Sequence, residues 1–579
     1  MSQRFGIFLS MIVTLGGSAS AFAEDEKIII ERLESRGLQV VREGQTVVAV
    51  KGFRARDGDL KDIRQFPALR RLELTNSDIT DAGLAELAEL KNLEEIQLYS
   101  SMNIKGDGLG HLTGNKNLKI LHLSVGQINN KALRDLRKAG LLHTLYQSFK
   151  DNQQPERDDK IRSLTLADGV TDTGLVELTA LPALQVLQLS GRNVSDVSMA
   201  ILGKMTTLRE LAMRGARVTD AGLREIAGLK DLEVLMIDDA PITDEGLKVI
   251  GGFKSLRTLY LNTPTIKGEG FRHLAGLPLV DLFLCGSITD NYLRVLREAG
   301  LLHILYNART IDRQPPRSEK DIYSLGLDYQ KITAAGLKEL KDLPGLRILW
   351  LAGLGIKAEE FVNLSGVPAL EIATFDQGTV SDEALRTLAR HDVLHLLATE
   401  ARGRDQPLKA FTAMNLSKQP ITDDGLKTLR NVATLTDLNL SETSVSDAGA
   451  NELKAMQALT NLNLRDSRVT NKGLKTLLES KTLKRIDLGP KQVDDETLSL
   501  LHEHDRLTLL SFTRCKYGEP RLAANVNGIV LVGTPVTDAG LKLLAAYPKL
   551  EFINVRNSRV TDAGVAELLK TFPKLKVYR

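Results

Sequence analysis

One unit, repeated along almost the whole chain, constrains this sequence more than any other feature. It opens as Val218-Thr219-Asp220-Ala221-Gly222-Leu223, continues through leucine-spaced residues, and closes as Leu232-Glu233-Val234-Leu235-Met236-Ile237. The opening returns as Ile79-Thr80-Asp81-Ala82-Gly83-Leu84 and as Val560-Thr561-Asp562-Ala563-Gly564-Val565. The closing L-x-x-L-x-L pattern returns 23 times between Leu69 and Leu575, mostly at intervals of 23 to 25 residues. A chain of 579 residues with this self-similarity is expected to stack, because one unit cannot bury its apolar face alone.

The unit divides into two halves. Leu232, Leu235 and Ile237 alternate inward from a short strand, so Val234, Met236 and Asp238 face outward. Ile242 returns to the core, and Thr243 and Asp244 both read as N-cap residues of a helix whose inner stripe is Leu247 and Ile250. The glycine at Gly246, recurrent as Gly222, Gly425 and Gly540, implies close backbone approach between stacked turns. The period lies inside the leucine-rich-repeat range of about 20–29 residues. The fold class is therefore α/β: a leucine-rich-repeat solenoid of about 23 repeats, with a curved parallel sheet on the concave face and short helices on the convex face.

These units resemble those of bacterial, planctomycete-like secreted leucine-rich-repeat proteins with "VTDAGL" repeats, and they are similar to the repeats of F-box proteins. The resemblance spans roughly residues 45–579. It implies the solenoid and a protein-binding scaffold. The chain lacks an F-box-like N-terminal module and the cysteine common in F-box-type repeats, which argues against a ubiquitin-ligase adaptor.

Residues 1–23 read as a signal peptide: Arg4, the apolar run Phe5–Leu15, then the small-x-small sequence Ala21-Phe22-Ala23. Export to a periplasm or the extracellular space follows, with no membrane insertion after cleavage. Residues 24–68 read as an N-terminal cap, with a helix over Glu26–Arg36 and strands over Leu38–Arg42 and Thr46–Lys51. The solenoid occupies 69–579. Four short repeats, near 142–160, 302–321, 394–410 and 507–525, lack the "VTDAGL" helix and carry polar, proline-containing segments instead. Proline and charge favour extended loop there.

Lys plus Arg total 76 against 73 Asp plus Glu. This near balance gives no electrostatic case for nucleic acid. Cys285 and Cys515 lie too many strands apart to pair, at roughly 4.8 Å per strand. No nucleophile elbow, zinc-protease helix or phosphate loop is present, so neither catalysis nor a metal nor a cofactor is expected. His143, His303 and His395 occupy one slot of the related short repeats and read as shared ancestry.

The outward positions are more informative. The fifth residue of successive units reads Met236, Tyr260, Phe283, Tyr306, Gly326 and Trp350. The flanking positions add Ile304 and Ile348 on one side and Asp238 and Asp328 on the other. These residues are expected to form one contiguous patch on the concave face, with aromatic anchors and a polar rim. A weaker group is Tyr99, His122 and Tyr146. The expected function is an exported, non-enzymatic scaffold or receptor for a protein or peptide. A carbohydrate-binding envelope protein is the alternative, with glycan stacked on the same rings.

Overall fold

The structure is a computed structural model that describes residues 15–149, 153–285, 288–399, 411–517 and 521–579, with side chains from Asp25 onward, Val125 excepted. The expected signal segment lies outside the described residues as far as residue 14, and its remainder opens the helix Leu15–Ser35. Among the described residues, no helix is long and apolar enough to cross a membrane. The chain forms two compact units, 1–285 and 286–579.

The first unit begins with the helix Leu15–Ser35 and an antiparallel hairpin, Gln39–Glu43 with Thr46–Phe53. The second hairpin strand then pairs in parallel with Arg71–Thr75. Five strands end at Ile120–His122, and a six-stranded parallel sheet follows from Ser163–Leu166 to Asp281–Leu284. Among the described residues the second unit shows three four-stranded sheets, beginning at Ala308–Arg309, Ala413–Asn415 and Thr513–Cys515.

Period-two alternation decides which side chains enter the core. Leu211, Leu235 and Leu259 stand in register on adjacent strands, all without solvent exposure. Ile242, Leu247 and Ile250 close the same core from the helix side. Each such aliphatic side chain stabilises the stack by about 1.5–3 kcal/mol relative to exposure.

The Thr-Asp pair does more than the expected capping. Thr219 Oγ1 accepts from Ala221 N at 3.1 Å, capping its own helix Asp220–Glu225. Asp220 instead serves the following repeat, where Thr243 donates its N–H at 2.9 Å and its hydroxyl at 2.6 Å. Asp196 serves Thr219 in the same way, at 2.8 and 2.7 Å. The pair thus links neighbouring helices by a rung, and the rung explains the glycine. A Cβ on Gly222 would overlap Asp196 Oδ1, and one on Gly246 would overlap Asp220 Oδ1.

The four short repeats depart from the strand pattern. Leu142–Thr144, Leu302–Ile304, Leu394–Leu397 and Leu507–Leu509 are 3₁₀ turns. A parallel connection needs a crossover, usually a helix, and these repeats have none. After three of them the chain returns antiparallel instead: Ala308–Arg309 against Ser324–Gly326, Thr513–Cys515 against Val526–Val530, and Ala398 bridging Met414. The proline segment 402–408, and residues 150–152 and 518–520, lie outside the described residues.

The helix layer continues across these places. Thr171 N–H reaches Asn130 Oδ1 over 41 residues, and Asp290, Asp382 and Asp495 hold Thr333, Thr422 and Thr537 over 43, 40 and 42 residues. The rung at these places therefore depends on two helices being adjacent and not on what the chain does in between.

Candidate functional site

The outward residues fall into two groups, one in each unit. In the first unit the parallel register aligns Thr165, Gln188, Ala212, Met236, Tyr260 and Phe283 in one column. Ser190, Arg214, Asp238 and Asn262 form the column beside it. Ala212 is the small member between longer neighbours, so the face sinks there. The result is a depression of about 450 Å³ lined by Gln188, Ala212, Met236 and Tyr260, with Arg214 and Asp238 at its rim.

Tyr260 closes one wall. Its ring lies 5.9 Å from that of Phe283, centroid to centroid, and its hydroxyl accepts from Cys285 Sγ at 2.8 Å. The Cys285 hydrogen bond and then burial push the Tyr260 phenol up to about 12. Asp238 accepts from Arg214 Nε at 3.0 Å and from Asn262 Nδ2 at 2.8 Å. It is therefore half of an ion pair and not a free carboxylate. The Arg214 side chain remains 81% exposed, so its terminal nitrogens point into solvent beside an apolar hollow.

In the second unit Trp350 and Tyr306 are exposed as expected, at 37% and 44%. Trp350 stands in register with Gly326, and its Cε3 lies 3.8 Å from where a Cβ on that glycine would sit. The missing side chain is thus the space the indole leans into. Arg309 covers the Tyr306 ring, Cζ to centroid 4.6 Å. Ile348 is half-buried.

Ile304 contradicts the sequence expectation. It is buried, 1% exposed, because Leu302–Ile304 is a 3₁₀ turn to which strand alternation does not apply. Asp328 is also engaged within the protein, where its Oδ1 accepts from Ala352 N at 2.7 Å.

Tyr329 was missed. Its side chain is among the most exposed apolar ones, at 77%, on a backbone of positive φ, and its ring packs over Gly353. The Tyr99, His122 and Tyr146 group is more continuous than expected. Its ring centroids are 5.0 and 4.2 Å apart, and Phe149 adds a fourth ring at 5.1 Å. Burial holds His122 below the usual imidazole range.

The three slot histidines have separate roles. His143 Nδ1 lies 2.8 Å from Asp158, His395 Nε2 lies 3.1 Å from the Leu370 carbonyl, and His303 Nδ1 is buried without a partner. Among the described residues no group of three or more His, Cys, Asp or Glu is placed to hold a metal ion. Neither cysteine is in a disulfide.

Stacked L-x-x-L-x-L strands on one face and short helices on the other define a leucine-rich-repeat fold. Residues 67–88 and 204–227 match the family model described as Leucine Rich repeat. Three solved structures are similar to the chain over much of its length. An internalin from Listeria monocytogenes is 18% identical, over 71% of this chain and 89% of that one, with a TM-score of 0.27. A leucine-rich-repeat protein of Leptospira interrogans is 17% identical, over 72% and 95%, with a TM-score of 0.34. The plant peptide hormone receptor RGFR1, in complex with RGF2, is 15% identical, over 94% and 90%, with a TM-score of 0.31. No curated protein matches the chain.

Proposed function

We propose that this chain is an exported, non-enzymatic scaffold that holds a protein or peptide ligand on the strand face of residues 163–284. The depression between Gln188 and Tyr260 carries the proposal. It pairs an apolar hollow with Arg214 and a tyrosine, the residue types enriched where binding energy concentrates. Its walls stand on adjacent strands whose backbone bonds are already made, so the receptor loses little freedom on binding. Asp238 is engaged within the protein, which leaves this face suited to binding and not to acid–base chemistry. Export rests on the pattern of residues 1–23.

Stacking of a sugar on the sequence-expected rings is less well supported. Arg309 occupies one face of Tyr306, and Trp350 rests against Gly326. The test is capture from the envelope and medium of the source organism by the tagged full-length chain. Three baits are compared: wild type, Met236→Ala/Tyr260→Ala, and Tyr306→Ala/Trp350→Ala. Loss of a protein ligand with the first pair alone supports the proposal. Equal capture by all three overturns the site. Recovered protein that still begins at Met1 overturns export.

A further inference from the structure

The sheet beginning at Ala413–Asn415 carries a feature that the peptide proposal does not use. Asn415, Asn439, Asn463 and Asp487 stand in register on four successive parallel strands. In each of the three asparagines the side-chain oxygen accepts the backbone N–H two residues on, from Ser417, Ser441 and Arg465, at 3.0 Å in every case. A backbone N–H can only donate, so it fixes the amide: the oxygen faces the turn and the NH₂ faces out. None of the three NH₂ groups donates to another described residue. Aspartate would serve the turn equally well; asparagine adds the outward donor.

The result is a row of oriented donors at the strand pitch of about 4.8 Å. It lies in a shallow groove of about 460 Å³ that also takes in Asp437, Asn461 and Arg485. Among the described residues no aromatic side chain lines the groove. The Asp437 carboxylate accepts from Asn461 and from the Thr436 hydroxyl, each at 2.6 Å, and Arg485 lies 3.2 Å from Asp487. The groove therefore sets a row of polar groups along an otherwise apolar floor, with two carboxylates and one guanidinium among its described lining residues.

We infer that this face binds a linear, uncharged glycan lying along the stack. An extended peptide in that direction repeats its same-side carbonyls about every 6.6–6.8 Å, two residues at a time. It falls out of step with the asparagines by the second rung. An extended glycan advances by close to one rung per pyranose ring and offers acceptor oxygens on every ring. Its hydroxyls can donate in turn to Asp437 and Asp487. A polyanionic glycan gains nothing, since the groove has no excess of positive charge. This surface is separate from the depression at Ala212, and either proposal can fail alone.

The experiment is isothermal titration of the full-length chain with cellohexaose, chitohexaose, an anionic hyaluronan hexasaccharide, and the disaccharides of the two neutral series. The key variant is Asn439→Asp/Asn463→Asp. It keeps the oxygen that the turn needs and exchanges the outward NH₂ for an acceptor oxygen, adding one negative charge per site; circular dichroism checks that the fold is retained. Binding of a neutral hexasaccharide, weaker for its disaccharide and reduced at least about tenfold in the variant, is expected from the loss of two hydrogen bonds. Absence of binding by both neutral hexasaccharides overturns the inference. So does equal affinity in wild type and variant, or preference for the hyaluronan probe.

Discussion

Replacing Gly222 by alanine sets two effects of opposite sign against each other. Gly222 lies in the helix Asp220–Glu225 with no positive φ, so propensity alone predicts that alanine stabilises by roughly 1 kcal/mol. The new Cβ, however, would lie only 2.3 Å from Asp196 Oδ1. Asp196 must then release Thr219, whose N–H and hydroxyl it accepts at 2.8 and 2.7 Å. Hydrogen bonds to a charged group contribute about 1.5–3 kcal/mol each. Partial exposure of this pair lowers that figure, so the expected net effect is a destabilisation of about 2 kcal/mol. In an Asp196→Ala background the obstacle is gone. Met199 Cγ and Val218 Cγ1, at 3.0 Å from the new Cβ, are then the remaining contacts and belong to side chains that can shift. There the same substitution should cost less than about 0.5 kcal/mol or stabilise. Urea unfolding of the four members of the cycle measures the coupling. Native-state hydrogen exchange at the Thr219 amide localises it, since a long stack need not unfold in one step. If Gly222→Ala stabilises the otherwise unchanged chain, the rung does not explain the glycine.

Other expectations follow from single side chains. Burial and then the Asp505 charge push the Tyr547 phenol up to about 12. A phenol raised in the folded state leaves stability intact below pH of about 10 and withdraws it as pH climbs toward the folded value. Spectrophotometric titration should therefore show a late tyrosine class that loses one member in Tyr547→Phe; a titration unchanged by that substitution refutes the assignment. Leu235→Ala, at a fully buried position in the middle of a sheet, should lower stability by about 2–5 kcal/mol, while Val197→Ala, exposed on a helix, should change it by less than about 0.5 kcal/mol. Urea midpoints compare the two, and similar losses would mean that the burial pattern does not govern the stack.

The inward columns were legible in the sequence because alternation and the repeat period say the same thing twice: Leu211, Leu235 and Leu259 could be placed by counting. The aromatic members Tyr260 and Trp350 could be placed outward by the same count. Ile304 could not. Its repeat, Leu302-His303-Ile304-Leu305-Tyr306-Asn307, follows L-x-x-L-x-L in all but its last place, yet the helix that should follow is missing, and the chain there turns and reverses instead of crossing over to a parallel strand. The second function of Asp220 was hidden for another reason. A helix-start aspartate explains itself locally, and nothing in one repeat shows that the next repeat's threonine needs an acceptor. Asp238 and Asp328 looked free as letters because their partners, Arg214, Asn262 and the Ala352 amide, are neighbours only across strands. The hollow at Ala212 was missed because the count of outward residues rewarded large side chains, and a hollow is marked by a small one.

The Thr–Asp rung also bears on how such a chain can grow. Its two halves belong to different repeats, yet a repeat such as Val218-Thr219-Asp220 or Ile242-Thr243-Asp244 carries both, a threonine to receive and an aspartate to offer. Repeats of this kind can therefore follow one another in any order. Asp495 meets Thr537 across 42 residues with the same bonds that Asp196 makes to Thr219 across 23. A stretch of gene copied or deleted between two such helices leaves no unmatched end in the helix layer. Length is then a variable that recombination can alter while the joints stay intact, and selection on the exposed strand face can act on each new copy separately.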